Sequence, residues 1–464
     1  MLADFLIHNT CEVLTCAGAA PRCGPAQRDA EPLPAASVAA RNGRIVFVGA
    51  HDALKQHVEL TPEATILDAG GGAVVPGFVD AHTHVVFAGD RRNELRRRLA
   101  GASYAQIAAE GGGILSTVVA TRAASAEELA ADTRLRLDEM IRCGTTTCEA
   151  KSGYGLTIES ELKQLRVLAQ LAREHPVEIA PTFMGAHEVP LEYRSNRRDY
   201  IDLLCGDMLR AVTRTGLAEW CDVFCEDGVF TPGESRDILS AARGAGLKLR
   251  IHADELGESG GWQVAADLPV RSADHLMFIT AEGADRLAAS GVVATLLPIA
   301  SFYLKLGRFA PARLLIERGV AVALATDVNP GAGFSPSMPF AMALACFGMG
   351  LTFEEALVAA TINAAFAIDR HDRIGSGPGV VRRCVAVDDG GSAAEDTFGI
   401  GRRPQRARGR VELAERSSRP ALGRDRCRYG CLRSSRRSIS AAEDHGSGEG
   451  GAKGRRSTGS ARGD

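Results

Sequence analysis

The sequence predicts an α/β fold, a (β/α)8 TIM-like barrel carrying a small N-terminal β domain. Three observations carry this reading. From Ala73 onward, short strand-like runs alternate with helical patterns about eight times, the number of units in a closed parallel barrel. The runs are nearly continuously apolar, which suits strands buried on both faces. No GxGxxG fingerprint follows the first strand, which disfavours a doubly wound open sheet.

Taken in order, residues 1–72 read as part of a small β-sandwich. Within them "SVAARNGRIVFVGA" forms two strand-like runs around Asn42-Gly43, a strong hairpin signal. Residues 73–375 read as the barrel. Its strand candidates are "AVVPGFVDAHTH", "TTTCEAKSGYG", "VEIAPTFMGAHE", "EWCDVFCED", "KLRIHADE", "SADHL", "VVATLLPIAS" and "VALATDVNPG". Helical patterns such as "SAEELAADTRLRLDEMIRC", "IESELKQLRVLAQLAREH" and "GESRDILSAARGAG" lie between them. Residues 376–464 lose this periodicity. Eighteen arginines there accompany one lysine, Lys453, with few aliphatic residues to bury, so disorder is expected. Such a tail reads either as an RNA-binding segment or as the product of a shifted reading frame in GC-rich DNA.

Composition narrows the function. A formal net charge of -3, with 45% hydrophobic and 24% charged residues, gives no basic excess for nucleic acid or an anionic membrane surface. No run approaches the roughly 18 apolar residues of a membrane span, and the N-terminus lacks a signal-peptide pattern. The twelve cysteines form no CxxC pair, and Cys221 and Cys225 lack a matching second pair for zinc. Free thiols in a cytoplasmic protein are expected. The expected partners are a small-molecule substrate and, compatibly, a second copy of the chain.

Barrel function collects at the C-terminal strand ends, and polar chemistry stands at six of the eight. Strand one ends in His82 and His84, strand two in Lys151 and Tyr154, strand three in His187 and Glu188. Strand five gives His252, Asp254 and Glu255, strand six Asp274 and His275, strand eight Asp327 and Asn329. Any one of these alone reads as structural; together they do not. Residues i and i+2 of a strand share a side, so His82 and His84 can converge on one cation. With His252 and Asp327 they make a three-imidazole, one-carboxylate set suited to one Zn²⁺ or one iron ion, Fe²⁺ or Fe³⁺. Such an ion lowers the pKa of its water towards about 7. Asp327 and Glu255 are candidate proton carriers beside it, and His275 a partner for the nucleophile or a developing oxyanion.

HxH after strand one, His on strands five and six and Asp on strand eight resemble the amidohydrolase superfamily. Within it, "THVVFAGDRRNEL", "RLAGASYAQIAAEGGGI", "EAKSGYGL", "TFMGAHEVP", "IHADEL" and "ATDVNPG" closely resemble the imidazolonepropionase family, over roughly residues 1 to 375. The resemblance implies hydrolysis of 4-imidazolone-5-propanoate to N-formimidoyl-L-glutamate in histidine breakdown. It places metal ligands on His82, His84, His252 and Asp327, and substrate contacts on Arg91, Tyr154, His187, Glu255, Asn329 and Gly331. A cyclic amide with a propionate needs a cationic clamp, which Arg91 offers. "EGGGIL" reads as a loop over the mouth. Two departures stand out. Ala332 occupies a place where the family usually has Ser or Thr, removing one substrate hydrogen bond. After "TINAAFAIDRHDRIGS" no strands are expected to return and complete the N-terminal domain. The competing readings are another amidohydrolase (a cyclic-amide hydrolase or nucleobase deaminase) and an inactive chain damaged at its C-terminus. Two-metal amidohydrolases carry a carboxylated lysine on strand four; Lys151 counts to strand two, so a single ion is expected.

Overall fold

The computed structural model describes residues 1–102, 106–107, 110–376 and 384–386. All lie in the first of two units of the chain, residues 1–404. Within the Arg-rich tail only residues 376 and 384–386 are described, so the expectations for the rest of it fall outside the described residues.

The N-terminal region forms β1 (Leu2–His8), β2 (Glu12–Leu14), β3 (Pro32–Pro34), β4 (Ala36–Arg41), β5 (Arg44–Ala50), β6 (Glu59–Asp68) and β7 (Val74–Pro76). One four-stranded sheet has the order β5-β4-β1-β6. Its hairpin turns where expected: Arg41 pairs with Arg44, and Asn42 and Gly43 take φ of 51° and 73°. Both values are left-handed, as a type I′ turn requires, and Asn-Gly is the pair that tolerates them best.

The barrel consists of β8 (Phe78–Asp80), β9 (Thr145–Lys151), β10 (Glu178–Ala186), β11 (Trp220–Cys225), β12 (Lys248–Ala253), β13 (Val270–His275), β14 (Val293–Leu296) and β15 (Val322–Leu324). Each is parallel to the next, in chain order. All eight overlap the runs read from the sequence, but the first run, residues 73–84, holds two strands, and its opening part is β7, outside the barrel sheet. The seam between β15 and β8 closes through the chain beyond both strands. The Asp327 N–H donates to the His82 carbonyl at 3.1 Å, and the His84 N–H to the Val328 carbonyl at 3.0 Å. The intervening helices begin where their capping residues stand. Ser125 with Glu128 and Thr231 with Glu234 form reciprocal capping boxes for helices Ala126–Arg142 and Pro232–Gly244. Small residues of the barrel, Ala81, Ala180 and Ala323 among them, share a buried cluster with Ala364, Ala365 and Ala367 of helix Ile362–Ala367. No helix among the described residues is long and apolar enough to cross a membrane.

One expectation is overturned. A strand does return after residue 376: β16 (Cys384–Ala386) pairs antiparallel with β7, giving a second sheet of order β16-β7-β2-β3. It is only three residues long, too short to stand out by periodicity in an Arg-rich, Gly-rich context, and Val385 opposite Val75 is its central pair.

Candidate active site

His82 and His84 follow β8, and their rings leave the same side of the chain, as i and i+2 positions should. Their Nε2 atoms lie 3.5 and 3.6 Å from one oxygen of Asp327, and His84 Nε2 lies 3.4 Å from His252 Nε2. All four side chains are buried. His82 Nε2 and His84 Nδ1 have no hydrogen-bond partner. His84 Nε2 and His252 Nε2 thus face each other in a buried pocket, beside a carboxylate oxygen that also accepts. A cation between the Nε2 atoms of His82, His84 and His252 and the Asp327 oxygen would satisfy those inward atoms at once, so the residues present fit a metal ion. Ligand atoms of His82, His84 and Asp327 lie within 4.8 Å of one another, as do those of His82, His252 and His275.

Two carboxylates set which nitrogen faces the site. Asp274 Oδ2 lies 2.6 Å from His82 Nδ1, and Asp222 Oδ1 lies 3.0 Å from His252 Nδ1. An Nδ1 proton held there leaves the Nε2 lone pair to point inward. Burial pushes the pKa values of His82, His84 and His275 well below the ordinary imidazole value, with neighbouring charges adding to the effect. Neutral imidazoles are the form that binds metal. Burial pushes Asp222 up, but His252 and Lys151 outweigh it and hold the carboxyl well below its usual range.

The ligand-bearing loops are strained in a specific way. Asp254, His275 and Asp327 adopt φ of 53°, 74° and 52°, a region that costs a non-glycine residue about 1–3 kcal/mol. Asp327 stands three residues past the end of β15, and this left-handed turn redirects the chain there. The turn closes on Gly333, where an added Cβ would lie 1.6 Å from the Asp327 carbonyl oxygen.

The cleft above these atoms collects every substrate contact expected from the sequence: Arg91, Tyr154, His187, Glu255, Asn329, Gly331 and Ala332. Arg91, 5% exposed, caps helix Arg92–Leu99 and donates from Nε to Glu94 at 2.8 Å. Its guanidinium lies flat against Gly331, where a Cβ would come 2.1 Å from Nη1. Asn329 holds that same turn, its Oδ1 accepting from the N–H groups of Gly331 and Ala332 at 2.7 Å. Tyr154 packs on His187 with ring centroids 5.0 Å apart, and His187 stacks on His84 at 4.8 Å. His187 Nδ1 lies 3.0 Å from the Gly153 carbonyl, and burial lowers its pKa to about 3, keeping the ring neutral. Glu255 Oε2 sits 3.6 Å from His275 Nε2. Burial, with the charges of Asp327 and Glu226, raises the Glu255 pKa well above the carboxylate range. Burial likewise raises that of Asp327.

Several residues in and around the site carry no recognisable spacing. Glu226 accepts from the N–H groups of Glu255 and Leu256 at 2.9 Å and so aims Glu255. Glu94 ties Arg91 to Gly113, whose N–H it accepts at 2.9 Å. The "EGGGIL" stretch therefore borders the cleft, with Ile114 lining it. The available signal is a charged residue inside an otherwise apolar strand, as at Glu149, Asp222 and Arg250, because a charge buried on both faces must be paired. Lys151 lies on the second barrel strand, as counted, and its ammonium is ion-paired with Glu149 and Asp222.

Fold and site together define a metal-dependent amidohydrolase. The amidohydrolase family model matches residues 73–376. Solved structures similar in fold include an adenosine deaminase from Xanthomonas campestris with bound zinc, at TM-score 0.57 and 19% identity, covering 86% of this chain and 88% of that one. Another is a triazine hydrolase variant at TM-score 0.61 and 15% identity, covering 83% and 87%. At such identities the likeness is one of fold. Imidazolonepropionases are far more similar in sequence. That of Symbiobacterium thermophilum is 51% identical over 80% of this chain and 88% of the relative, and that of Alkaliphilus metalliredigens 46% identical over 81% and 89%. The chain belongs to the imidazolonepropionase family of amidohydrolases.

Proposed function

We propose that this chain hydrolyses 4-imidazolone-5-propanoate to N-formimidoyl-L-glutamate, the ring-opening step of histidine breakdown. The observation that carries the reading is the position of Arg91, held by Glu94 and Gly331 in the same cleft as His84, His252 and Asp327 of the ligand cluster. A carboxylate clamp facing a hydrolytic centre suits a cyclic amide that bears a propionate.

His82, His84, His252 and Asp327 would hold one ion, Zn²⁺ or iron, as this donor set suits both. When bound, the ion supplies Lewis acidity and lowers the pKa of water towards about 7. Arg91 pairs with the propionate and fixes the ring over the histidines. Neutral His187 and Tyr154 border the ring and present polar atoms to it. Asp327 takes a proton from the attacking water as its oxygen adds to the ring carbonyl carbon. The bond from that carbon to the ring nitrogen then breaks. Glu255, whose raised pKa lets it hold a proton near neutrality, delivers that proton to the departing nitrogen. His275, beside Glu255, donates to the oxyanion as it forms. Ala332 lines the cleft without a hydroxyl, so that position contributes contact alone. A cytoplasmic place suits the chain, whose described cysteines are free thiols.

The test is direct. The purified, metal-loaded chain should consume the imidazolone, read as loss of its ultraviolet absorbance, and yield the formimidoyl amino acid by mass. Metal-loaded protein that leaves the ring intact while opening a different cyclic amide would assign the site to another substrate.

A further inference from the structure

Beneath the histidines lies a layer of ionisable side chains that the ring opening does not use. Glu149 and Lys151 come from β9, Asp222 from β11, Arg250 from β12 and Asp274 from β13, and all five are fully buried. Lys151 joins two of them. Its Nζ donates to both oxygens of Glu149 at 2.9 Å and lies 2.9 Å from Asp222 Oδ2. Each of these carboxylates reaches a different part of the metal site. Asp222 Oδ1 meets His252 Nδ1 at 3.0 Å. Glu149 Oε2 accepts the backbone N–H of Thr83, the residue between His82 and His84, at 3.2 Å. The Thr83 hydroxyl in turn donates to the Glu149 carbonyl at 2.7 Å. One ammonium group therefore ties the segment carrying His82 and His84 to the strand carrying His252.

We propose that Lys151 is a positioning residue that clamps the metal ligands of the first and fifth barrel strands through Glu149 and Asp222. The proposal rests on the reading of His82, His84, His252 and Asp327 as the ligands. Charge bookkeeping shows why the clamp is strong. Three carboxylates, Glu149, Asp222 and Asp274, face two cations, Lys151 and Arg250. Without the ammonium, Glu149 and Asp222 are left buried with one cation between three acids, and like charges in a dry interior separate or take up protons. Either response withdraws the acceptor that orients His252 and loosens the Thr83 backbone. Partners that orient metal-ligating histidines are worth about 10–100-fold in metal affinity.

Lys151→Met keeps an unbranched side chain one atom shorter and deletes its charge. Co²⁺ titrated into the metal-free variant should bind about 10–100-fold more weakly than in the parent, with an altered visible spectrum reporting changed coordination. Glu149→Gln retains an acceptor for the Thr83 N–H but removes the charge facing Lys151. It should weaken Co²⁺ binding in the same direction by a smaller factor, and it decides the matter if Lys151→Met does not fold. His252→Ala, measured alongside, separates the two layers of the argument. A folded Lys151→Met, or a Glu149→Gln where the former fails to fold, with unchanged Co²⁺ affinity and spectrum overturns the clamp, provided that His252→Ala loses the ion. If His252→Ala binds Co²⁺ as the parent does, the ligand assignment fails and the clamp falls with it.

Discussion

Glu255 and Gly331 act at the residue scale, one through a proton and the other through the lack of a side chain. The Glu255 carboxyl is buried beside Asp327 and Glu226, which raises its pKa well above the ordinary value. The protonated form serves the departing nitrogen, so the rate should fall on the alkaline side as this proton is lost. Glu255→Gln should retain its metal, slow kcat by roughly 10²-fold or more and flatten that limb. Full activity in the variant would remove Glu255 from the mechanism. Gly331 meets the Arg91 guanidinium so closely that a Cβ would lie 2.1 Å from Nη1. Gly331→Ala should therefore displace the clamp and raise KM about tenfold to a hundredfold, the equivalent of losing a charged hydrogen bond of about 1.5–3 kcal/mol, while metal content stays unchanged. A collapse of kcat at constant KM would place Arg91 in another role.

At the scale of elements, the barrel was legible because its signals are local and repeated. Apolar runs, six of them ending in charged or hydrogen-bonding residues, mark the eight strands, and the capping boxes mark where helices begin. The HxH spacing and the family motifs located the polar residues that line the cleft, but not its apolar residues Phe224 and Leu304. What escaped are interactions between elements distant in sequence. Glu149 contacts the Thr83 backbone across 66 positions, and Glu226 reaches Glu255 across 29. No spacing rule links such pairs, although a lone acid in an apolar strand hints that a partner exists. Glu94 is of this kind, joining helix Arg92–Leu99 to Gly113, the residue that opens helix Ile114–Ala123. Glu94→Gln keeps one acceptor and loses the charge facing Arg91. It should raise KM by about threefold to tenfold, the scale of roughly 1 kcal/mol for one weakened hydrogen bond, with kcat little changed. An unaltered KM would show that Gly331 and Asn329 suffice to hold the guanidinium.

At the scale of the whole molecule, the sheet built on β1, β4, β5 and β6 buries a core of its own around Ile7, Val38 and Ile45, whereas Leu14 of β2 and Val75 of β7 join the core of the barrel, so the site can persist while that first sheet limits stability. β16 supplies only three residues to β7, and the other sheet ends on β6. That strand is ten residues long and contains no fully buried residue, and Ile66 and Leu67 are 55% and 36% exposed. Among the described residues nothing pairs with its outer edge. A long edge strand with exposed aliphatic side chains is a template for pairing with another chain. The concentration dependence of aggregation should therefore originate there rather than at the barrel. Ile66→Lys places a charge on that edge and removes an exposed apolar group, and it should raise the concentration or temperature at which light scattering begins. Because Ile66 lies in the other sheet's edge strand and borders no part of the cleft, kcat and KM should be those of the parent. If scattering begins at the same point in the variant, the aggregating surface lies elsewhere. If turnover falls with it, the N-terminal sheet and the barrel are coupled more tightly than their separate cores imply.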